Sequence, residues 1–436
     1  MLTRATRLLN GASYVEPMSE LDDSRLRVAF DNAALSLTVG AEEEYMLVDP
    51  QAGRLLPVAE DVLGTLQGDL RFQTEFRAAQ LEIATRPYLS TADVGRELAI
   101  ARIELAEAII GRARIVACGA HPNASDVGPI TDGERYRAIA ATNPWAALHK
   151  LTCGLHVHVA LADAERALAV YNALRSYLPE FVALAANSPY HRFVDSGTAS
   201  MRYQLNRCMA RHGVPPAFRD WNAYAEFVEW GRKGGSIPDT SYHWWDLRLH
   251  PGYGTLEIRA CDSQTELADT VALVGLAQTL ISWLAGRHDA GHRLPVDDSR
   301  RIAESLWLGA RTGGGGMLLD LETGAQEAIA DRIARLVEHL APAAVELGTE
   351  RELARVLVLA RAGGADRQRD AVEERGAGGL VDWLAAETVV SAHTYLVRTA
   401  LEATSSAAGG ADSVVSAPAL DPDPKLVMRE GSFGDR

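Results

Sequence analysis

Residues 37–50 read LTVGAEEEYMLVDP, and they alternate. Leu37, Val39, Ala41, Tyr45 and Leu47 fall in one phase; Thr38, Gly40, Glu42 and Glu44 fall in the other. This period of two predicts a strand with one apolar face, closed by a turn at Asp49-Pro50. The pattern returns three times. Residues 79–86 set Leu81 and Ile83 against Gln80 and Glu82, and residues 153–161 set Leu155, Val157 and Val159 against His156 and His158. Residues 254–262 set Leu256 and Ile258 against Glu257 and Arg259. A further short buried strand is expected at 115–118.

Between the strands the period lengthens. Ser90 with Asp93 resembles a capping box and predicts a helix to about Arg112. Residues 53–68 read as a turn and short helix, 121–144 as a long surface loop, and 231–239 as a flexible, basic, Gly-rich loop that could serve as a phosphate-binding lid. A second helix is expected from about Asp163, interrupted near Pro179. From Gln264 to about Ala403 the chain reads almost wholly helical, broken at 313–316 and 363–364. The organisation expected is a loosely ordered N-terminal arm (1–30), one main domain (31–403) and a disordered C-terminal tail (404–436).

The polar faces carry the chemistry. Side chains two apart on a strand point the same way, so Glu42 and Glu44 project together. Two carboxylates 4 Å apart repel by roughly 4 kcal/mol at an effective dielectric of 20, and a hard divalent cation removes that repulsion. Glu43 falls in the apolar phase and needs a basic partner. An antiparallel sheet that packs helices on one face leaves the other free. Here the free face would present Glu42, Glu44, Glu82, His156, His158, Glu257 and Arg259, with Glu75 near by in the preceding loop. Such a surface suits phosphate chemistry: carboxylates hold Mg²⁺, Mg²⁺ holds phosphates, arginine offsets transferred charge. Each element also has a plain structural reading. A strand glutamate can be merely solvated, the two histidines can be a packed pair, Arg259 can simply neutralise Glu257, and Trp244-Trp245 can be packing rather than a base-stacking platform.

Composition narrows the class. The 436 residues carry 43 basic and 58 acidic side chains, a net charge of −15, which disfavours general nucleic-acid or anionic-membrane binding. No apolar run reads as long enough to span a bilayer, and the N-terminus lacks a signal-peptide pattern. Cys118, Cys153, Cys208 and Cys261 form no Cys-x-x-Cys pair, which fits a reducing cytoplasm. Neither a Walker-type loop nor a Gly-x-Ser-x-Gly elbow occurs.

Several of these stretches together resemble one family. They are GAEEEYMLVDP at 40–50, LEIATRP at 81–87, GLHVHVAL at 154–161, ANSPY at 186–190, Ser200 to Arg202, WWDLR at 244–248, GTLEIRACD at 254–262 and ADRQR at 365–369. The family is the type 2 glutamate–cysteine ligases, also called YbdK-type carboxylate–amine ligases. The resemblance implies an α+β, glutamine synthetase-like fold, with a curved antiparallel sheet and helices packed on one face. It also implies ATP-dependent joining of glutamate's γ-carboxylate to the amine of cysteine, with ATP and Mg²⁺ or Mn²⁺ as cofactors. By motif, Glu42, Glu44, Glu75, Glu82, Glu257 and His156 would be metal ligands or their supports. His156, Arg259 and Arg367 would contact nucleotide or phosphate, and Arg259, Arg202 and Glu82 would act in catalysis. The partners implied are small molecules, with room for a homodimer, in a cytoplasmic enzyme. The alternatives are the same chemistry on another amine, or a zinc hydrolase built on His156 and His158 with His191, His243 or His250.

Overall fold

The computed structural model describes residues 26–31, 36–66, 68–124 and 126–409. Most of the expected arm and tail lie outside these. The strands are β1 (Val39–Val48), β2 (Phe72–Thr74), β3 (Gln80–Ala84), β4 (Arg114–Val116), β5 (Gly154–Ala160), β6 (Tyr190–His191), β7 (Val194–Asp195), β8 (Leu247–His250), β9 (Thr255–Asp262), β10 (Met317–Leu319) and β11 (Gln326–Ala328). Seven of them make one open sheet in the order β2-β3-β1-β5-β9-β8, with β4 pairing the end of β1. Every pairing in it is antiparallel. β6–β7 and β10–β11 are separate hairpins.

The apolar phase of each strand is buried as the alternation predicts. Val39, Ala41, Tyr45, Leu81, Ile83, Leu155, Val157, Leu256 and Ile258 enter one core with the helix Leu267–Asp289. That helix is long and apolar enough to cross a membrane by length and composition, against the sequence expectation, but 83% of its most apolar window is buried inside the protein. Helices Thr91–Ala108, Ala164–Leu174, Ile329–Leu347 and Glu350–Leu359 surround it. Glu43, the one charged residue in the apolar phase of β1, is fully buried and finds its basic partner in Arg102. The opposite face is free only over part of its area. Met46 and Val48 at the end of β1 are covered by Leu380, Val381 and Leu384 of the C-terminal helix in a second, smaller core.

Several local expectations change. Ser90 precedes the helix Thr91–Ala108 without a side-chain cap: the Asp93 N–H donates to the Ser90 carbonyl at 3.2 Å, and the Asp93 carboxylate accepts from Arg96. The stretch 121–144 contains the helix Glu134–Thr142, which buries Tyr136 and Ile139. The interruption expected near Pro179 is present: the helix Ala164–Leu174 gives way to a tight turn at Arg175–Tyr177, and Pro179 sits in the first turn of the next helix, Leu178–Ala185. Leu26 and Phe30, assigned to the arm, are buried, with the Phe30 ring 5.3 Å from Trp221. The Gly-rich stretch begins as the last turn of the helix Trp221–Lys233, where Arg232 and Lys233 both pair with Glu229. The basic part of this stretch is thus helix rather than loop, and Asp239 at its end lines the cavity described below.

Buried His121 gives a pH test of this fold. Its Nδ1 accepts the Asn123 N–H at 3.1 Å and its Nε2 donates to the Gly53 carbonyl at 2.9 Å, the pattern of a neutral imidazole. Burial lowers its pKa from 6.5 to about 4, against a smaller upward pull from the Gly53 bond. The folded state therefore binds fewer protons than the unfolded chain between these values. Stability that is complete above pH 6.5 should fall as pH drops toward 4, by about 3 kcal/mol from this group. Urea midpoints measured across that window should show the fall, and His121→Gln should flatten part of it. An unchanged slope in the variant would clear His121 of the acid response.

Candidate active site

Strand register assembles the site. Glu44 faces Glu82, Glu42 faces His156, and His158 faces Glu257, which in turn faces Arg248. A row of ionisable groups thus crosses β3, β1, β5, β9 and β8 on the face away from the main core. Above it lies a cavity of about 1050 Å³, lined by Glu42, Glu44, Glu75, Glu82, His156, Arg202, Arg248 and Arg259 among others. Three sets of side chains bring their ligand atoms within 4.8 Å of one another: Glu44, Glu75 and Glu82; Glu42, Glu82 and His156; and Glu42, His158 and Glu257. His156 Nδ1 is 3.1 Å from Glu42, and His158 Nε2 is 3.3 Å from it.

The electrostatics are those of a crowded anionic cluster. Burial, then the Glu75 charge, raises Glu44 to about 7, although Arg202 and Lys150 pull the other way. Burial together with Glu42, Glu75 and Glu44 holds Glu82 well above the usual carboxylate range. Burial lowers His156 to about 4, so its ring is a neutral imidazole at pH 7. Carboxylates that crowd until two of them resist ionisation are the donor set a divalent cation satisfies.

A bulge shapes the cationic side. Leu155 pairs with Cys261 but Val157 pairs with Ile258, so β9 carries one extra residue opposite His156. The bulge turns Cys261 into the core while Arg259 still reaches the cavity. The guanidinium of Arg202 donates to the carbonyls of Ala260 at 3.2 Å and Arg259 at 3.0 Å, groups at the irregular pairing. Arg202 is itself placed by Ser200, which caps the helix Met201–Asn206 and donates to Asp262 at 2.8 Å. Ser188 and the Asn187 N–H bind the other Asp262 oxygen, and Gln368 holds Asn187.

Two expected roles change. Arg259 is not free of Glu257: its Nη1 donates to Glu257 Oε1, while Arg248 Nε donates to Oε2 at 2.5 Å. Glu257 is fully buried beneath the cavity, so the shared strand face brings the two together as an ion pair. Arg367 does not enter the cavity. It sits on the helix Gly364–Arg375 and pairs with Glu266 and Asp269 at the start of the helix Leu267–Asp289. Arg248, Lys150, His212 and Asp246 were not singled out from the sequence. Asp246 and Arg248 are detectable, since Asp246, Arg248 and His250 alternate with Leu247 and Leu249; Lys150 and His212 come from segments without periodicity. Of the histidines a zinc site would need, His191 lines a separate groove and His243 is stacked on Trp245. His250 does reach the cavity, stacked on Tyr253, but it joins none of the three ligand sets.

Residues 38–385 match the model of glutamate-cysteine ligase family 2 (GCS2). The chain belongs to that family. A Rubrobacter xylanophilus protein, provisionally named glutamate–cysteine ligase 2-3, is 38% identical over 359 residues, covering 80% of this chain and 97% of its own. A Frankia casuarinae protein with the provisional name glutamate–cysteine ligase 2-1 is 34% identical over 364 residues, 80% of this chain and 94% of its own. Among solved structures, a glutamate–cysteine ligase of Francisella tularensis in complex with AMP aligns with a TM-score of 0.59 at 11% identity, over 87% of this chain and 95% of that one. A bifunctional glutathione synthetase of Pasteurella multocida aligns with a TM-score of 0.57 at 16% identity, over 85% of this chain and 54% of that one. These two likenesses show the fold. As a member of glutamate–cysteine ligase family 2, the protein is a glutamate–cysteine ligase-type enzyme, built on an open antiparallel sheet with helices on one face.

Proposed function

We propose that the enzyme uses ATP to phosphorylate the γ-carboxylate of glutamate and then joins the resulting acyl phosphate to the amine of cysteine. The observation that carries this reading is the meeting of Glu42, Glu44, Glu75, Glu82 and His156 with Arg202, Arg248 and Arg259 on one cavity. A free carboxylate is a poor acyl donor, because its leaving group would be oxide; a phosphorylated one releases phosphate. The donor set suits Mg²⁺ or Mn²⁺, held by Glu42, Glu44, Glu75, Glu82 and His156, and such an ion supplies charge neutralisation to phosphate oxygens when bound.

The protein's own groups do the rest. Arg259 sits where it can offset negative charge that spreads over the transferred phosphoryl oxygens. Arg248 keeps Glu257 paired when the guanidinium of Arg259 turns toward phosphate. Trp244 and Tyr253 wall the cavity and limit the water that would hydrolyse an acyl phosphate. At about 1050 Å³ the cavity is at the upper end of ligand-pocket sizes, as two substrates require. Phosphate release with ATP, Mg²⁺ and glutamate should depend on an added amine, with cysteine the best of a panel. Faster release with another amine would reassign the acceptor, and no release with any amine would overturn the reading.

A further inference from the structure

One end of the cavity carries a cation that the protein leaves unpaired. Lys150 is half-buried in the lining, and its ammonium makes no hydrogen bond or ion pair among the described residues. By contrast Arg71, Arg86, Arg248 and Arg259 of the same lining each meet a carboxylate. The backbone that presents Lys150 is fixed from behind. Buried Arg77 donates to the carbonyls of Lys150 at 2.8 Å, Gly128 at 2.9 Å and Ala147 at 2.6 Å. The Lys150 N–H donates to the Ala146 carbonyl at 2.8 Å. Two residues on, Thr152 Oγ1 donates to Asn206 Oδ1 at 2.9 Å. Asn206 also lines the cavity, and its Nδ2 keeps no partner among the described residues. A fixed backbone with two free donors lowers the ordering cost of binding an anion.

Register separates this end from the phosphate-handling arginine. His158, Glu257 and Arg248 line up at the level of Gly40, beyond Glu42 on β1. Residues 150–152 lead into β5 at the opposite end, where the Gly154 N–H donates to Glu44 at 2.7 Å. Burial lowers the proton affinity of Lys150, the Glu44 charge opposes that, and Arg202 adds to it, which places the ammonium beside the Glu44 end of the carboxylate cluster. The neighbouring wall is apolar. Phe76, Ile139 and Met209 share one apolar cluster and line the cavity. Phe76 adjoins Arg77 in the chain, and the Met209 N–H donates to the Asn206 carbonyl at 2.9 Å.

We propose that Lys150 and the Asn206 amide hold the α-carboxylate of the acceptor amino acid, with its side chain against Phe76, Ile139 and Met209. The acceptor is then an α-amino acid with a small uncharged side chain, not a simple amine. A –CH₂–SH group meets that description, and a thioether and an aromatic ring suit it. An acidic side chain, such as the donor's, would set a charge against the apolar wall. With its carboxylate anchored at this end, the acceptor's amine lies one carbon away, on the side of the carboxylate cluster where the acyl phosphate forms.

This inference rests on the ligase reading, and cysteamine separates the two, since it is cysteine without the carboxylate. The unaltered enzyme should show a kcat/KM for cysteine about 10- to 100-fold above that for cysteamine, the contribution of a charge-assisted anchor. Lys150→Met should remove most of that preference by raising the KM for cysteine, with the cysteamine kcat/KM and the KM for glutamate within about twofold of their former values. The change in preference between the two proteins is free of the amines' intrinsic reactivity. Lys150→Arg should keep part of it. Asn206→Asp retains the bond to Thr152 but sets a charge against the carboxylate, and should also raise the KM for cysteine. An unchanged preference in Lys150→Met, an equal fall with both amines, or a raised KM for glutamate in place of cysteine would each overturn the anchor and leave the ligase reading standing. So would a carboxylate-free amine as the best acceptor. No phosphate release from the unaltered enzyme with any amine would overturn both.

Discussion

Arg102→Met is expected to cost about 3–5 kcal/mol of stability, a large share of the 5–15 kcal/mol typical of a folded domain. Arg102 is fully buried, and its Nη2 meets Glu43 Oε1 at 2.6 Å. The same guanidinium donates to the Gln264 and Thr265 carbonyls at 2.8 and 3.0 Å. Thr270 and Tyr45 supply the remaining partners of Glu43. Methionine fills the volume but leaves the Glu43 charge without its counter-ion and the Gln264 carbonyl without its donor in the core. The unfolding midpoint in urea should drop sharply, and Glu43→Gln added to Arg102→Met should recover part of the loss, because the stranded charge is then gone. A loss below about 1 kcal/mol for the single variant would show that water reaches this pair.

Arg259→Ala is expected to lower turnover by about 10²- to 10³-fold with the protein still folded. The fold should survive because Arg248 remains on Glu257 at 2.5 Å, so no buried charge is left unpaired. Lysine at this position keeps the charge but loses the planar fork, and should restore only part of the rate. Single-turnover measurement of phosphate release, beside a melting curve, separates the two effects. Near-normal turnover would reduce Arg259 to a counter-ion of Glu257 and pass the phosphate role to Arg248 or Arg202.

The strands were legible because the side-chain period of two is written directly in residue order. Glu42, Glu44, Glu82 and His156 could be placed on one face, and Glu43 on the other, without any knowledge of pairing. One apolar face per strand excludes a one-residue slip, but which strands pair, and in which register, came only from the structure. What was not legible depends on contacts far apart in the chain. No glycine marks the bulge opposite His156, so the turning of Cys261 into the core was hidden. Arg367 was placed by motif alone, and a motif does not say which way a helical side chain points; Glu266 and Asp269 claim it. His212 and Asp246 meet only because Gly213 and Trp245 bridge, a contact with no local pattern at either end. The Pro, Asn, Gly and Asp of residues 121–144 predict a loop, and the short helix Glu134–Thr142 within it has too few apolar positions to show through that composition.

The reach of these contacts has a consequence for synthesis. Arg102 bonds the Thr388 carbonyl at 3.3 Å, and Asn187, which holds Asp262, is bound by Gln368 at 2.8 Å. Strand β1, which carries Glu42 and Glu44, leaves the ribosome early, and Arg102, the counter-ion of Glu43, follows soon after, but Thr270 and the helix Leu267–Asp289 that bury the pair follow only some 227 residues after Glu43. At about 5–20 residues per second that interval is roughly 10–45 s. For that time the nascent chain carries Glu43 and Arg102 without the helix that encloses them, so the apolar phase of β1 consolidates only when that helix arrives, and the Thr388 carbonyl closes the site last.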